Sequence, residues 1–361
     1  MNREVIYVVT DQGPTTGIGI YAEALVNLLR ERYPGLSLLS LCYLRGQELP
    51  GWRRLPGSEV AHHWFQVPLV LRHNYKLLRR VIPQDSAIHF CGSWYGSVLE
   101  YPRSIVTLHD YYPRSPALIS LGEPRVLLRD ASALKQFIQI PRQARTARAR
   151  IVPTRYVQER LDRGCSLSST AIHHWIDRSR FHPRNRLLSR EALGLPLDRT
   201  LVLNVSAGTS NKNYTLLKTI AHHLGANYRM VKVGGSLPNN ESLIHLPWIP
   251  HERYPLLFNA CDVYLHTSTQ EGFGRPLIES MASELPVVAH KSQVALEVLG
   301  DAGTYQGSNA PIREWIKSIE LLSIDSVRTE VIRRIKLRLP LFDPARARDA
   351  YSQVYRKVFG K

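Results

Sequence analysis

Short apolar, β-branched runs alternate with helical patterns from one end of this chain to the other, and this alternation constrains the fold more than any other feature. It is typical of βα units, whose strands associate into parallel sheets. At 361 residues the chain exceeds what one hydrophobic core usually supports. We therefore predict an α/β protein with two Rossmann-like, doubly wound parallel-sheet domains.

The alternation stops once, in a polar stretch rich in arginine and proline at residues 177–190, which is the best candidate for an interdomain linker. We predict an N-terminal domain over residues 1–177, a C-terminal domain over 178–342 and a last helix within 343–361. Strands are predicted at 5–10, 36–44, 87–90, 105–108, 151–152, 171–173, 201–205, 230–233, 263–265 and 286–289, and helices at 20–32, 213–224, 276–283, 311–322, 326–339 and 344–359.

Composition limits the class of protein. No apolar run reaches the roughly 18 residues that a membrane-spanning helix needs. The four cysteines form no C-x-x-C pair, which argues against a disulfide framework and a zinc ribbon. No secretory leader precedes the first predicted strand. These features predict a cytoplasmic protein that is either soluble or peripheral at the inner face of the membrane.

A net charge of +17 predicts attraction to an anionic partner. Residues 125–150 carry most of the local excess, with apolar residues interleaved, as in basic amphipathic segments that contact anionic membranes. A solvated helix face and a site for a phosphorylated acceptor are the alternatives, whereas nucleic acid is disfavoured because no recognition module accompanies the charge. The basic residues are Arg125, Arg129, Lys135, Arg142, Arg145, Arg148 and Arg150, against the single acid Asp130.

Residues 271–279 concentrate the polar chemistry of the chain. They follow a predicted strand and open a predicted helix, so Gly272 and Gly274 lie where backbone N–H groups face a ligand at a helix N-terminus. Glu271 and Glu279 can both point into the crevice at the carboxyl ends of the strands, where carboxylates suit sugar and ribose hydroxyls. On composition alone, a glycine-rich turn with a helix-capping acid explains the segment equally well.

This segment and its surroundings resemble the E-x7-E signature of the family 4 retaining glycosyltransferases. The resemblance is closest over residues 201–303 and extends to residues 17–19, 106–110, 176–183 and the terminal helix. It implies the GT-B architecture, in which an N-terminal domain that binds the acceptor and a C-terminal domain that binds the donor face each other across a cleft. It also implies that the last helix packs back towards the N-terminal domain. It also implies a hexosyltransferase that moves a sugar from a UDP- or GDP-sugar to a glycan or lipid-linked acceptor and retains the anomeric configuration.

The resemblance also assigns roles to residues. It places Glu279 on the ribose hydroxyls, Glu271 with the amides of 272–274 on the transferred sugar, and Lys212 at the diphosphate, where a fixed cation stabilises the charge of the leaving group. His109 is expected to position the donor sugar. The predicted catalytic residues are His109, Lys212 and Glu271, and the predicted donor-binding residues are Gly17, Gly19, Gly208, Trp248, Ile249, Gly272, Phe273, Gly274, Arg275 and Glu279.

The chain departs from the family pattern before Lys212. The family usually has an arginine five or six residues earlier, where Ser206 and Ala207 stand here, and Arg275 is a candidate to compensate. This departure supports an alternative, a catalytically inactive nucleotide-sugar-binding or scaffolding protein. No Asp-x-Asp pair is present to hold a metal on the diphosphate, so transfer without metal or other cofactor is expected.

Overall fold

The structure is a computed structural model that describes residues 5–10, 16–40, 53–54, 73, 76–92, 101–111, 140–207, 210–235, 241–247 and 249–360. The chain forms two compact units. Unit 1 comprises Met1–His173 and Ala347–Lys361, and unit 2 comprises His174–Arg346. Each unit has its own parallel sheet with helices packed against it, which confirms the predicted α/β class.

The sheet of unit 1 has the strand order β3-β2-β1-β4-β5-β6-β7, and all its pairs are parallel. The order reverses between β1 and β4, so the ligand crevice expected of an open α/β sheet lies at the carboxyl ends of these strands. The strands are β1 (Ile6–Thr10), β2 (Leu36–Ser40), β3 (Arg53–Arg54), β4 (Ala87–Cys91), β5 (Ser104–Thr107), β6 (Ala149–Val152) and β7 (Thr170–Ala171).

The sheet of unit 2 has the order β10-β9-β8-β11-β12-β13, again with parallel pairs throughout. Here the order reverses between β8 and β11, which places the crevice at the carboxyl ends of these two strands. The strands are β8 (Thr200–Val205), β9 (Tyr228–Val233), β10 (Leu243–Leu246), β11 (Val263–His266), β12 (Val287–His290) and β13 (Gly303–Gln306).

Helices connect the strands and cover both sheets, which explains why the central strands are apolar throughout rather than alternating. No helix among the described residues is long and apolar enough to cross a membrane. The helices are α1 (Gly17–Leu29), α2 (Ile140–Thr146), α3 (Arg155–Cys165), α4 (Arg186–Leu193), α5 (Tyr214–His223), α6 (Tyr254–Ala260), α7 (Arg275–Ala282), α8 (Gln293–Leu299), α9 (Ile312–Leu321), α10 (Asp325–Arg338) and α11 (Pro344–Phe359).

The predicted linker at residues 177–190 is wrong in its second half, because α4 begins at Arg186. Arg190 is buried, and its guanidinium donates to the Ala260 carbonyl and to Oδ2 of Asp262 at 2.6 Å. Arg186 donates to the other carboxylate oxygen of Asp262, also at 2.6 Å. The polar composition that suggested a linker therefore belongs to a helix held in unit 2 by a buried ion pair.

Three edge strands are not predicted from the sequence: the two-residue β3 in unit 1, and β10 and β13 in unit 2. Most residues of β10 and β13 are only half-buried, so these two strands carry a weaker apolar pattern than the central strands. The predicted strand at 171–173 is shorter than expected and ends at Ala171, while β2 ends at Ser40 and the remainder of its predicted range lies outside the described residues.

Candidate functional site

The loop between β11 and α7 carries the predicted signature segment. Gly274 is the residue before α7 and has a φ of +79°, in the left-handed region that favours glycine. A Cβ atom at this position would lie 3.0 Å from Cδ1 of Leu277. Glycine at 274 is therefore required both by the backbone conformation and by the close packing of the first turn of α7.

Phe273 anchors this loop to unit 2 through contacts of its aromatic ring. Its ring is buried and stacks on that of His174 at a centroid distance of 4.7 Å, and it also contacts the Phe342 ring edge-on at 5.9 Å. The side chain of this predicted donor-binding residue therefore packs in the core of unit 2. Only its backbone amide remains suited to the predicted role.

Lys212 and Glu271 form an ion pair, in which the Lys212 ammonium donates to Oε1 of Glu271. The two side chains are only 17% and 15% exposed. Lys212 ends a short 3₁₀ turn after β8, and its carbonyl accepts a hydrogen bond from the Thr267 hydroxyl at 2.7 Å. The loops after β8 and β11 are thereby tied together, and they hold a cation and a carboxylate side by side in the expected crevice.

Glu279 lies on α7 and is buried, with 4% of its surface exposed. The Tyr254 hydroxyl donates to its Oε2 at 2.9 Å, and Nε of Arg275 lies 3.7 Å from its Oε1. Burial raises the pKa of this carboxyl, against the opposing effects of Arg275 and Tyr254. A buried carboxylate with few partners is costly for stability and is characteristic of binding sites.

Two neighbours of Glu279 were not predicted from the sequence, Tyr254 and Arg180. Tyr254 opens α6, and Arg180 donates to Nε2 and to the carbonyl of His251 at 2.6 Å and 2.5 Å. Tyr254 lies in a segment without a motif, and Arg180 lies within residues 176–183, which carry the resemblance but do not mark Arg180 itself. Ile249, a predicted donor-binding residue, is half-buried in the loop that leads to α6.

His109 belongs to unit 1 and lies just after β5. Its ring contacts that of Tyr21 on α1 edge-on, at a centroid distance of 4.5 Å. The Tyr21 hydroxyl is hydrogen-bonded to Thr107 at 3.1 Å and to the hydroxyl of Tyr351 on α11. A polar network of α1, β5 and α11 therefore fixes the surroundings of His109.

His89 extends this network. Its Nε2 lies 2.8 Å from the Thr107 hydroxyl, and its Nδ1 lies 2.8 Å from the hydroxyl of Tyr355. Burial and the nearby charge of His109 lower the pKa of His89 to about 3. His89 is therefore a neutral member of the core, and its role is to hold β4, β5 and α11 together.

The two predicted glycines of the first loop differ in their environments. A Cβ at Gly17 would meet no atom within 4 Å, so a ligand has open space to approach the backbone there. The amide of Gly19 instead donates to the Thr16 hydroxyl at 3.1 Å, which caps α1. Gly17 thus fits the predicted role, whereas the Gly19 amide is already satisfied by the cap.

The structure brings Lys212, Glu271, Gly272, Gly274, Arg275 and Glu279 together in unit 2, and places His109, Gly17 and Gly19 in unit 1. Gly208 and Trp248 lie outside the described residues. Within the described part of the chain, no cluster of three or more His, Cys, Asp or Glu side chains is arranged to hold a metal ion.

Comparisons of the sequence with known proteins point to one family. Residues 185–334 match the family model described as glycosyl transferases group 1. The O-antigen chain mannosyltransferase B of Escherichia coli is 37% identical over 65 residues, a stretch that spans 18% of this chain and 17% of that relative.

Solved structures resemble the whole chain at low sequence identity. Sucrose-phosphate synthase from Thermosynechococcus elongatus superposes with a TM-score of 0.78 at 18% identity, covering 99% of this chain and 100% of that one. WaaG, a glycosyltransferase involved in lipopolysaccharide biosynthesis, gives 0.75 at 14% identity, covering 96% and 99%. Anabaena HepE in complex with UDP-glucose gives 0.73 at 16% identity, covering 98% and 100%. The chain therefore has the GT-B fold, and its residues 185–334, which carry Lys212, Glu271 and Glu279, match the glycosyl transferases group 1 model.

Proposed function

We propose that this protein is a retaining glycosyltransferase of the family 4 type, which transfers a hexose from a nucleotide sugar to a glycan or lipid-linked acceptor. One observation carries the proposal. The Lys212–Glu271 ion pair joins two neighbouring loops at the crevice of unit 2, and the buried Glu279 lies on the helix that follows the second loop, all within the region that matches the glycosyl transferases group 1 model.

The geometry suits the three parts of a nucleotide-sugar donor. Glu279 offers two carboxylate oxygens to the ribose hydroxyls, since Tyr254 occupies only one site on Oε2 and Arg275 is no closer than 3.7 Å to Oε1. Lys212 supplies positive charge for the diphosphate, and the Glu271 carboxylate accepts hydrogen bonds from the hydroxyls of the transferred sugar. These roles require the ion pair between Lys212 and Glu271 to open when the donor binds.

The proposed step breaks the bond between the anomeric carbon and the terminal phosphate oxygen and joins that carbon to an acceptor oxygen. The acceptor proton passes to the departing diphosphate, which forces attack from the face that the diphosphate leaves. Lys212 stabilises the charge that develops on the leaving group, and such preorganised charge acts most strongly away from water. The product therefore keeps the anomeric configuration of the donor.

The relatives support the proposed classes of donor and acceptor. HepE binds UDP-glucose and the Escherichia coli relative is named a mannosyltransferase, which supports a UDP- or GDP-hexose donor. WaaG acts in lipopolysaccharide biosynthesis, which supports an acceptor at the inner face of the membrane. Among the residues of the basic window that the structure describes, Arg142, Arg145 and Arg148 are exposed and available to an anionic membrane surface. Arg150 is not, because its guanidinium donates to the carbonyls of Ala144 and Ala147.

Thermal-shift measurements with UDP-, GDP- and ADP-sugars test the proposal. A donor at 100 times its dissociation constant is expected to stabilise the protein by about 2.7 kcal/mol. Lys212→Met should lose most of this stabilisation, while Lys317→Met, which removes an exposed lysine of α9, should keep it. A folded wild-type protein that none of these donors stabilises would contradict the proposal.

An inactive nucleotide-sugar-binding protein is the second candidate, and the residues Ser206 and Ala207 favour it because they replace the usual arginine. Slow release of nucleoside diphosphate from a bound donor in the absence of acceptor distinguishes the two. An enzyme shows this hydrolysis, whereas a binding protein shows donor affinity without turnover.

A further inference from the structure

A lysine lies in the interior of unit 2, at a strand position where a parallel sheet usually carries an apolar residue. Lys232 on β9 is fully buried between Val231 and Val233. Its ammonium donates to the carbonyls of Ser206, Val233 and Gly234, each at 2.7 Å. Buried lysines are rare and persist only when their charge is compensated in this way.

The three carbonyls place this charge at the crevice. Ser206 follows β8 and Gly234 follows β9, so the Lys232 ammonium lies at the carboxyl ends of two adjacent strands. The ammonium also lies 5.0 Å from the centroid of the Tyr214 ring, in the helix that follows Lys212. Its hydrogen-bonded partner Ser206 is one of the two residues that stand where the family usually has an arginine.

Arg275, the residue expected to compensate for that arginine, is directed elsewhere. Its Nε lies 3.7 Å from Oε1 of Glu279, on the ribose side of the proposed site. Lys212 is neutralised in part by Glu271. Lys232 instead donates to three carbonyls and forms no ion pair among the described residues, so its formal charge is available to act on an anion bound at the crevice.

We propose that Lys232 is a positioning residue for the donor diphosphate: its buried ammonium fixes the backbone after β8 and β9 and adds positive charge beneath the phosphates. Because its three hydrogen bonds go to carbonyls, Lys232 does not contact the diphosphate directly. It acts by holding the loops in place and by the electrostatic field of its ammonium. The inference rests on the proposed function, since it needs a donor with an anionic diphosphate.

The proposal predicts a pH dependence. Burial and the nearby charge of Lys212 lower the pKa of Lys232 to about 7. A bound diphosphate favours the ammonium form, so above this pH donor binding takes up a proton. The donor itself has no group that titrates near neutral pH, because its diphosphate is a diester.

Lys212 and Tyr214 are titratable groups close to Lys232, and others lie on the neighbouring elements. Lys212 and Tyr214 follow β8, Glu271 and His266 lie at the end of β11, and Nε2 of His245 on β10 lies 2.9 Å from the Gly235 carbonyl. Burial raises the pKa of Tyr214 and lowers that of His266 to about 4, which removes both from the neutral range. Comparison with variants at position 232 separates Lys232 from the remaining groups.

The experiment is calorimetry of UDP-glucose, GDP-mannose and ADP-glucose binding at pH 7 and pH 8.5, in two buffers with different ionisation enthalpies. The wild-type protein should bind about tenfold more weakly at pH 8.5 and should take up close to one proton there. Lys232→Met should bind weakly at both pH values without this proton uptake. Lys232→Arg should restore affinity but not the pH dependence, because arginine does not titrate in this range.

The control is Arg229→Met, which removes a positive charge from the opposite end of the same strand and should keep the wild-type pH profile. If the variants do not fold, proton uptake by the wild-type protein still tests the inference by itself. Donor binding by the wild type with no proton uptake at pH 8.5, or uptake that Lys232→Met retains, would overturn the inference and leave the proposed function intact. Failure of all three donors to bind the wild type would instead contradict both the inference on Lys232 and the proposed function.

Discussion

Replacement of Glu279 by glutamine tests the proposed ribose site. The variant keeps the shape of the side chain and an acceptor for the Tyr254 hydroxyl, which lies 2.9 Å from Oε2, but it removes the charge. Hydrogen bonds to charged groups contribute about 1 kcal/mol more than neutral ones. For two ribose hydroxyls the expected loss is about 2 kcal/mol, which corresponds to roughly 30-fold weaker donor binding.

The same variant should be more stable than the wild type at neutral pH. Burial raises the pKa of Glu279 in the folded state, so the folded protein holds this proton more tightly than the unfolded chain does. Stability from this group is fully present below the unfolded pKa of about 4.3 and is lost as pH rises through the folded pKa. Glutamine does not ionise, so the advantage of Glu279→Gln should grow from pH 4 to pH 7.

Calorimetry of donor binding and urea unfolding at several pH values measure both effects. The control is Glu330→Gln, because Glu330 is an exposed glutamate whose partners are Arg333 and Arg334 on the same helix. It should leave donor affinity unchanged. Donor affinity within twofold of wild type in Glu279→Gln would refute the ribose assignment, and a stability difference independent of pH would refute the account of the buried carboxylate.

Three further predictions concern metal, stability and the surface. Donor hydrolysis should survive excess EDTA because Lys212 replaces a metal at the diphosphate; loss on chelation with recovery in magnesium or manganese would contradict this. Asp262→Ala should lower the free energy of unfolding in urea by about 3–5 kcal/mol, because it leaves the buried guanidinium of Arg190 without its carboxylate partner. Asp198→Ala, at a side chain 75% exposed, should lower it by under about 1 kcal/mol, and equal losses would refute the account of the buried pair. Co-sedimentation with anionic vesicles should fall when Arg142, Arg145 and Arg148 are changed to glutamine, at about 1 kcal/mol each, and binding that ignores salt or lipid charge would count against it.

The central strands could be predicted from the sequence because burial on both faces requires continuous apolar runs. β8, β11 and β12 are of this kind, and their strands begin and end close to the predicted limits. The edge strands β10 and β13 could not, because half-buried positions tolerate polar residues. The extent of burial therefore separates the strands that could be predicted from the sequence from those that could not.

Long-range partners explain the errors. The stretch containing Arg186 and Arg190 was interpreted as a linker because its charges suggest solvent, yet their carboxylate partner Asp262 lies more than 70 positions later in the chain. Lys232 could not be identified for the same reason, since its partner Ser206 lies just after the preceding strand β8. Glu271 and Glu279 were identified because both belong to one contiguous motif, whereas Tyr254 reaches Glu279 from another helix.

Proton NMR of donor hydrolysis without acceptor tests the central claim most directly. The account predicts that the wild-type protein releases nucleoside diphosphate from an α-linked UDP- or GDP-hexose and that the first free sugar detected, before mutarotation, is the α anomer. Lys212→Met should slow this release, since it removes the charge that stabilises the leaving group. Release of the β anomer would contradict the retaining mechanism, and a folded protein that releases nothing from any donor would contradict the assignment as an enzyme.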